Sequence, residues 1–259
     1  MFIDTHCHLN DEKFGDLDDV ISRMRDEGVH LAVCAGYDLP SSYRAAELAE
    51  TYEEVYFTAG VHPDAEKSVS KQSLKELSAL CAHKKCLAVG EIGLDYHYLP
   101  FDKEGQKRAF AAQIELAAQV NLPFCVHARD CAGELLPFLR EREALLKNGF
   151  VMHCYSGSAE TARELVKLGA YLSFAGPLTF KNARSLPEVA ASAPLERLLT
   201  ETDSPYLSPH PYRGERNEPA RVRLVAEELA RIRGEDDAAL ALAIDGNARR
   251  IFPKYKGAK

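Results

Sequence analysis

Eight short, nearly continuous apolar runs recur along the chain: Phe2–Asp4, Leu31–Ala35, Val55–Val61, Leu87–Ile92, Pro123–His127, Phe150–His153, Tyr171–Ala175 and Leu198–Thr202. They do not alternate polar with apolar, which is the pattern of parallel strands covered on both faces. Between them the periodicity changes. Over Gly105–Val120 the residues Phe110, Ile114, Ala117 and Ala118 share one helical face, and Leu165, Val166 and Leu168 give Ala159–Leu168 the same character. Intervals of roughly 20 to 37 residues between runs leave room for a crossover helix each time. Strand and helix alternating eight times predict an α/β fold, a (β/α)8 TIM-type barrel, with an open doubly wound sheet as the competitor. No linker or shift of composition divides 1–259, so a single hydrolase domain is expected, with extra C-terminal helix over Pro219–Arg233 and Asp237–Ile251.

The polar residues that interrupt these runs point to chemistry. His6 and His8 close the first run, His62 the third, Glu91 the fourth, His127 the fifth, His153 the sixth and Asp203 the eighth. Each falls at the carboxyl end of a strand, the face on which barrel enzymes carry their active sites. On a strand, positions i and i+2 point the same way, so His6 and His8 lie roughly 6.5 Å apart along the chain and can share an ion. A lone His-x-His is more often the mark of two unrelated surface histidines. Glu91 is sharper: it follows the apolar Leu87-Ala-Val-Gly90, where an isolated carboxylate is costly to bury and needs cationic partners. Four histidines and two carboxylates exceed what one zinc can use and suit two divalent ions sharing a carboxylate bridge. With nitrogen and oxygen ligands and no thiolate, Zn²⁺, Mn²⁺, Mg²⁺ and Fe²⁺ all fit. Glu201, two positions before Asp203, reads as structural. Cys7 and Cys154 adjoin ligands, and strand alternation is expected to turn them away from the ions.

Composition narrows the class. There are 32 Lys+Arg against 39 Asp+Glu, a formal charge of −7, with 27% charged and 46% hydrophobic residues. That balance excludes disorder and low-complexity classes, and it argues against a protein that coats nucleic acid through a broad basic surface. No apolar run reaches the 18 or more residues of a membrane span, so no membrane association is expected. Seven scattered cysteines without a C-x-x-C pair fit free thiols in a reducing cytoplasm rather than a disulfide scaffold. No obligate protein partner is expected.

Seven ordered motifs go further. Phe2-Ile-Asp-Thr-His-Cys-His8, Gly60-Val-His-Pro63, Gly90-Glu-Ile-Gly-Leu-Asp-Tyr-His97, Val126-His-Ala-Arg-Asp130, His153-Cys-Tyr-Ser-Gly157, Glu201-Thr-Asp-Ser-Pro-Tyr-Leu207 and Arg213-Gly-Glu-Arg-Asn-Glu-Pro219 resemble the TatD family of metal-dependent deoxyribonucleases, barrels related to the amidohydrolases. The resemblance implies that His6, His8 and Asp203 hold one ion and His127 and His153 the other, with Glu91 between them and His62 near the substrate phosphate. It implies hydrolysis of phosphodiester bonds, with 3′–5′ exonuclease action on DNA. Three positions depart from the family pattern: Asp64, often His; Tyr155, commonly Phe; and Glu215, often basic.

Within that reading Asp203 and Glu91 are the catalytic carboxylates, Asp203 accepting the proton of the attacking water. His62 and Arg129 steady the phosphate, Arg129 by a two-pronged hydrogen bond. Arg213 and Arg216 extend the grip along the strand. Tyr96, Tyr98, Tyr155, Tyr206 and Tyr212 offer stacking surfaces, worth roughly 1–3 kcal/mol per base, which suits single-stranded DNA or ends as the substrate. The alternative with the same site is hydrolysis of an amide or ester, such as aminoacyl-tRNA deacylation. A barrel that retains its shape without chemistry is the remaining alternative, and the complete set of strand-end ligands speaks against it.

Overall fold

Eight parallel strands follow one another in chain order around a nearly closed barrel in a computed structural model that describes residues 1–183 and 185–257. They are β1 (Phe2–Cys7), β2 (Val29–Ala35), β3 (Val55–Ala59), β4 (Cys86–Asp95), β5 (Phe124–Arg129), β6 (Phe150–Met152), β7 (Ala170–Phe174) and β8 (Leu198–Thr200). Each is followed by its helix: α1 (Leu17–Asp26), α2 (Leu39–Thr51), α3 (Lys71–Cys81), α4 (Lys103–Gln119), α5 (Ala132–Arg140), α6 (Ala159–Lys167), α7 (Leu186–Ser192) and α8 (Val222–Arg233). The extra element is α9 (Asp237–Ile251), which packs against β1 and β8.

The strand interiors are apolar on both faces because one side lines the barrel and the other meets the helices. Phe57, Phe110, Phe124, Phe150 and Phe174 are fully buried, each contributing about 1.5–3 kcal/mol by leaving water. The Phe124 and Phe150 rings stack at 5.2 Å, and Phe110 stacks on Phe138 of α5 at 5.0 Å. Helix starts are set locally. Asp38 with Ser41 and Ser70 with Ser73 form reciprocal capping boxes at α2 and α3, each worth about 1 kcal/mol against an alanine cap.

Seven neighbouring strand pairs are joined by parallel ladders. The seam between β8 and β1 is closed by other means. Thr5 Oγ1 donates to Thr200 O at 3.0 Å, Thr200 Oγ1 donates to Ile3 O at 3.0 Å, and Thr202 N–H donates to the Asp4 carboxylate at 2.9 Å. Just above, Asp203 N–H donates to His6 O at 2.9 Å and His8 N–H to Ser204 O at 2.6 Å. The turn that carries Asp203 is thereby tied to the chain that carries His6 and His8.

Strand ends shift from the sequence expectation. β1 continues to Cys7, so His6 lies on the strand; β4 continues to Asp95, so Glu91 lies inside it rather than at its end. The ladder with β5 skips between Val89 and Ile92, an irregularity flanking Glu91. Gly93, with φ +152°, passes so close to β5 that a Cβ there would lie 2.0 Å from His127 O. Only glycine permits that approach. In the other direction, β3 stops at Ala59, and His62 caps the 3₁₀ turn Pro63–Ser68 instead of ending a strand.

Candidate metal centre

Glu91 occupies the middle of the cavity floor. Its Oε1 lies 2.8 Å from His127 Nδ1 and 2.9 Å from His153 Nε2, while its Oε2 lies 3.3 Å from His6 Nε2 and 3.8 Å from His8 Nε2. Asp203 Oδ1 approaches His8 Nε2 at 3.3 Å and His6 Nε2 at 3.7 Å. The six side chains expected to hold ions thus meet at one place, with one oxygen of Glu91 facing each pair of histidines. The ligand atoms of His6, His8 and Asp203 fall within 4.8 Å of one another, as do those of His6, Glu91 and His153.

Local structure explains the convergence. His6 leaves β1 and His8 follows it on the same side; the Asp203 turn is bonded to both as described, its φ of +55° turning the chain back over the barrel. Glu91 N–H donates to Gly36 O at 2.6 Å, and His153 N–H donates to Val126 O at 3.2 Å, fixing the backbone beneath each side chain.

Charge in the cluster is strongly coupled. Burial alone would raise the Glu91 carboxyl, but the charges of His153 and His6 and the hydrogen bonds from His127 and His153 hold it well below the usual carboxylate range. Asp203 is lowered in the same way, against burial, by His8 and His153. His153 is raised well above the ordinary imidazole value: burial opposes its charge, and Glu91 and Glu201 outweigh burial. His6 is lowered, by burial first and then by the neighbouring His153. These groups suit cations. Four imidazoles turn one nitrogen each toward two carboxylates, and the buried His8 Nδ1, pointing away, has no hydrogen-bond partner among the described residues. Nitrogen and carboxylate donors at this spacing fit divalent ions.

Two acidic residues beside the cluster escaped sequence reasoning as partners of the histidines. Asp95 Oδ2 lies 2.8 Å from His127 Nε2, and Glu201 Oε1 lies 3.2 Å from His153 Nδ1 while accepting the Cys154 N–H at 2.7 Å. Asp95 was legible through alternation, since Glu91, Gly93 and Asp95 share a face of one strand. Cys125, on β5, puts its Sγ 3.4 Å from His6 Nδ1. Cys7 does turn away, its thiol donating to Val33 O, but Cys154 lines the cavity, contrary to expectation, because a φ of +42° there breaks the strand alternation.

Above the floor the cavity measures about 850 Å³. His62, Arg129, Tyr98 and Tyr206 line it, together with Asp11, Asp38 and Asp64. His62 Nδ1 accepts the Asp64 N–H at 3.2 Å, and its Nε2 faces Glu91 Oε1 at 3.9 Å. Tyr98 is 65% exposed, with the Arg129 guanidinium 5.0 Å from its ring centroid. The other expected substrate contacts are engaged elsewhere. Tyr96 is buried, stacked on Phe101 and bonded to Glu134; Tyr155 is buried and donates to Ser158 O at 2.7 Å. Neither ring is free to stack on a base. Arg216 is held by Asp16 at 2.5 and 2.8 Å, and Arg213 lies over Phe180 at 4.1 Å, so neither lines the cavity. Tyr212 packs under Arg221 at 4.1 Å in a separate groove.

Comparison with known proteins agrees with this architecture. The family model described as TatD related DNase matches residues 3–253. The metal-dependent hydrolase YabD of Bacillus subtilis is 44% identical, covering 97% of this chain and 99% of its own. The 3′–5′ ssDNA/RNA exonuclease TatD of Shigella flexneri is 34% identical over 96% and 98%. The crystal structure of YjjV, a TatD homologue from Escherichia coli, superposes with a TM-score of 0.91 at 31% identity over 97% and 98% of the two chains. Similarity that runs the length of the chain, through the same motifs that bring six ligand-type side chains together, makes this protein a metal-dependent hydrolase of the TatD family.

Proposed function

We propose that this protein binds two divalent ions, Zn²⁺, Mg²⁺ or Mn²⁺, and hydrolyses phosphodiester bonds as a 3′–5′ exonuclease on single-stranded DNA or DNA ends. The observation that carries the reading is the placement of Glu91, with one carboxylate oxygen toward His127 and His153 and the other toward His6 and His8. Relatives named 3′–5′ ssDNA/RNA exonuclease, at 34% and 33% identity, support the substrate class. Bound divalent ions would supply Lewis acidity, acidifying water and drawing charge from phosphoryl oxygens.

The chain's own residues divide the remaining work. Asp203, ionised and open to the cavity, accepts the proton of the attacking water; a carboxylate with a lowered pKa is a weak base, so its position beside the nucleophile compensates. Because His62 Nδ1 accepts the Asp64 N–H, the neutral ring carries its proton on Nε2 and presents it to a phosphoryl oxygen. Arg129 offers a forked pair of donors from the wall. Tyr98 and Tyr206 are the rings left to stack on bases. Because α8 and α9 pack on β1 and β8, we propose that the chain works as a single domain. Seven free thiols, six of them buried, support a cytoplasmic location; among the described residues no helix is long and apolar enough to cross a membrane.

One observation favours a second reading. Asp11, Asp38 and Asp64 line the cavity, and among the described residues Arg129 is the one Lys or Arg that lines it, a poor welcome for a long polyanion. A short ester or amide substrate would avoid that repulsion. A nuclease time course decides between them. Metal-stripped protein is given 5′-labelled single-stranded and duplex DNA with Mg²⁺, Mn²⁺ or Zn²⁺, beside a His127→Ala, Asp203→Ala control. A metal-dependent ladder shortening from the 3′ end, absent in the control, is expected. Intact DNA under every metal, with turnover of p-nitrophenyl esters or amides, would replace this reading with the second.

A further inference from the structure

Each central histidine turns one ring nitrogen inward, and what meets the outward nitrogen differs between the two halves of the centre. His127 and His153 are each backed by a carboxylate, Asp95 at 2.8 Å and Glu201 at 3.2 Å. His6 is backed by the Cys125 sulfur, and His8 Nδ1 has no partner among the described residues. The first layer is asymmetric in the opposite sense. Asp203 faces His6 and His8 directly, whereas among the described residues Glu91 Oε1 is the one carboxylate oxygen toward the inward nitrogens of His127 and His153.

We infer that Asp95 and Glu201 are positioning residues that make the His127–His153 half able to hold its ion, an inference that rests on the two-ion reading above. A neutral imidazole has one N–H and one lone pair. A carboxylate on one nitrogen takes the N–H and so leaves the lone pair on the other. The inward atom is Nδ1 in His127 but Nε2 in His153. The ring alone does not choose between them; the carboxylate behind it does. Both carboxylates are held in turn. Asp95 Oδ1 accepts the His97 N–H at 2.8 Å, and Glu201 Oε1 also accepts the Cys154 N–H. Each passes negative charge through its imidazole to the half whose direct carboxylate, among the described residues, is Glu91 alone. Loss of such an outer partner typically weakens metal binding roughly 10–100-fold.

The test compares wild type with Asp95→Asn and Glu201→Gln, all stripped of metal. Each is titrated calorimetrically with Mn²⁺, and with Zn²⁺ buffered by a competing chelator. Ion number is measured by atomic absorption, and position by anomalous scattering. Both variants are expected to keep one ion at His6, His8 and Asp203 with unchanged affinity and to bind the other about 10–100-fold more weakly. Cys125→Ser, behind His6, is expected to leave the His127–His153 ion unaffected. Equal weakening of both ions, or no change in either variant, would overturn the inference. So would a third ion across His62, Asp95 and His127, since Asp95 would then be a ligand. A wild-type total of one ion would overturn the two-ion reading itself. The two variants sit at the ends of different strands, so if a metal-free melt finds one misfolded, the other decides.

Discussion

The floor of the cavity and its rim are built from different residue types and held in different ways. On the floor, His6, His8, His153 and Glu91 are buried, and every one has its neighbours within hydrogen-bonding or near-contact range. On the rim, arginines and tyrosines are taken up by nearby side chains: Tyr206 by Asp11 and Arg129 by Tyr98 on the cavity wall, and, outside it, Arg216 by Asp16 and Arg213 by Phe180. The floor side chains leave strands or turns tied to strands, so the register of the barrel dictates where they meet. Apart from Arg129, which ends β5, the rim side chains leave loops, and their partners are set by whichever loops lie beside them. Substitutions on the floor should therefore act on ions and turnover, and those on the rim on substrate affinity or stability alone.

The sharpest break in that contrast comes from the two carboxylates. Asp203→Asn should lower kcat by about 10²–10⁴-fold, the usual worth of a positioned proton acceptor, with little change in metal-free thermal stability. Turnover close to wild type would remove Asp203 from the mechanism. Glu91→Gln should lower kcat/KM by at least about 10²–10³-fold and, unlike Asp203→Asn, reduce both ion affinities in the same titration.

Metal removal separates floor from rim thermodynamically. An ion present at about 100 times its Kd stabilises the fold by roughly 2.7 kcal/mol. Chelation should lower the melting temperature of wild type and of a rim variant such as Arg129→Ala by the same amount, and that of Glu91→Gln by much less. Equal shifts in all three would place the ions elsewhere.

Within the rim, Tyr98→Ala should raise KM for single-stranded DNA by the worth of one stacked base, roughly 1–3 kcal/mol, without altering stability. Tyr155→Phe should do the reverse, costing about 1 kcal/mol of stability through the lost bond to Ser158 and leaving KM unchanged. If Tyr155→Phe raised KM and Tyr98→Ala did not, the division drawn here would fail.

The smallest effect concerns Asp16, whose carboxyl is lowered to about 2 chiefly by the hydrogen bond from Arg216. Its folded pKa lies below the ordinary 3.8, so its contribution is present above pH ~4 and lost as the pH falls toward 2. The pair is part-exposed and screened, worth at most about 1 kcal/mol. Asp16→Asn should lower stability slightly at pH 6 and progressively less as the pH falls to 2 and below, as acid-unfolding curves would record. A difference undiminished at pH 2 would locate the effect outside this carboxylate.

Period and composition by themselves determined eight parallel strands joined by crossover helices, while closure into a barrel and not an open doubly wound sheet was decided by the tertiary structure. Eight apolar runs spaced for crossover helices admit few other parallel arrangements, and α9 begins and ends where its pattern does. They also singled out the residues that meet on the floor, because a His or Glu at the end of an apolar run is costly unless something binds it. Tertiary structure alone decided the rest. Strand ends moved, at Glu91 and His62, because hydrogen bonds to neighbouring strands and not apolar content set where a strand stops. Tyr96, Tyr155 and Arg216 were drawn from the mouth by Glu134, Ser158 and Asp16, residues 38, 3 and 200 positions away. Asp95 and Glu201 became partners of particular histidines only once β4, β5, β6 and β8 closed side by side. A strand's alternation says which way a side chain points. What it meets there depends on a different part of the chain.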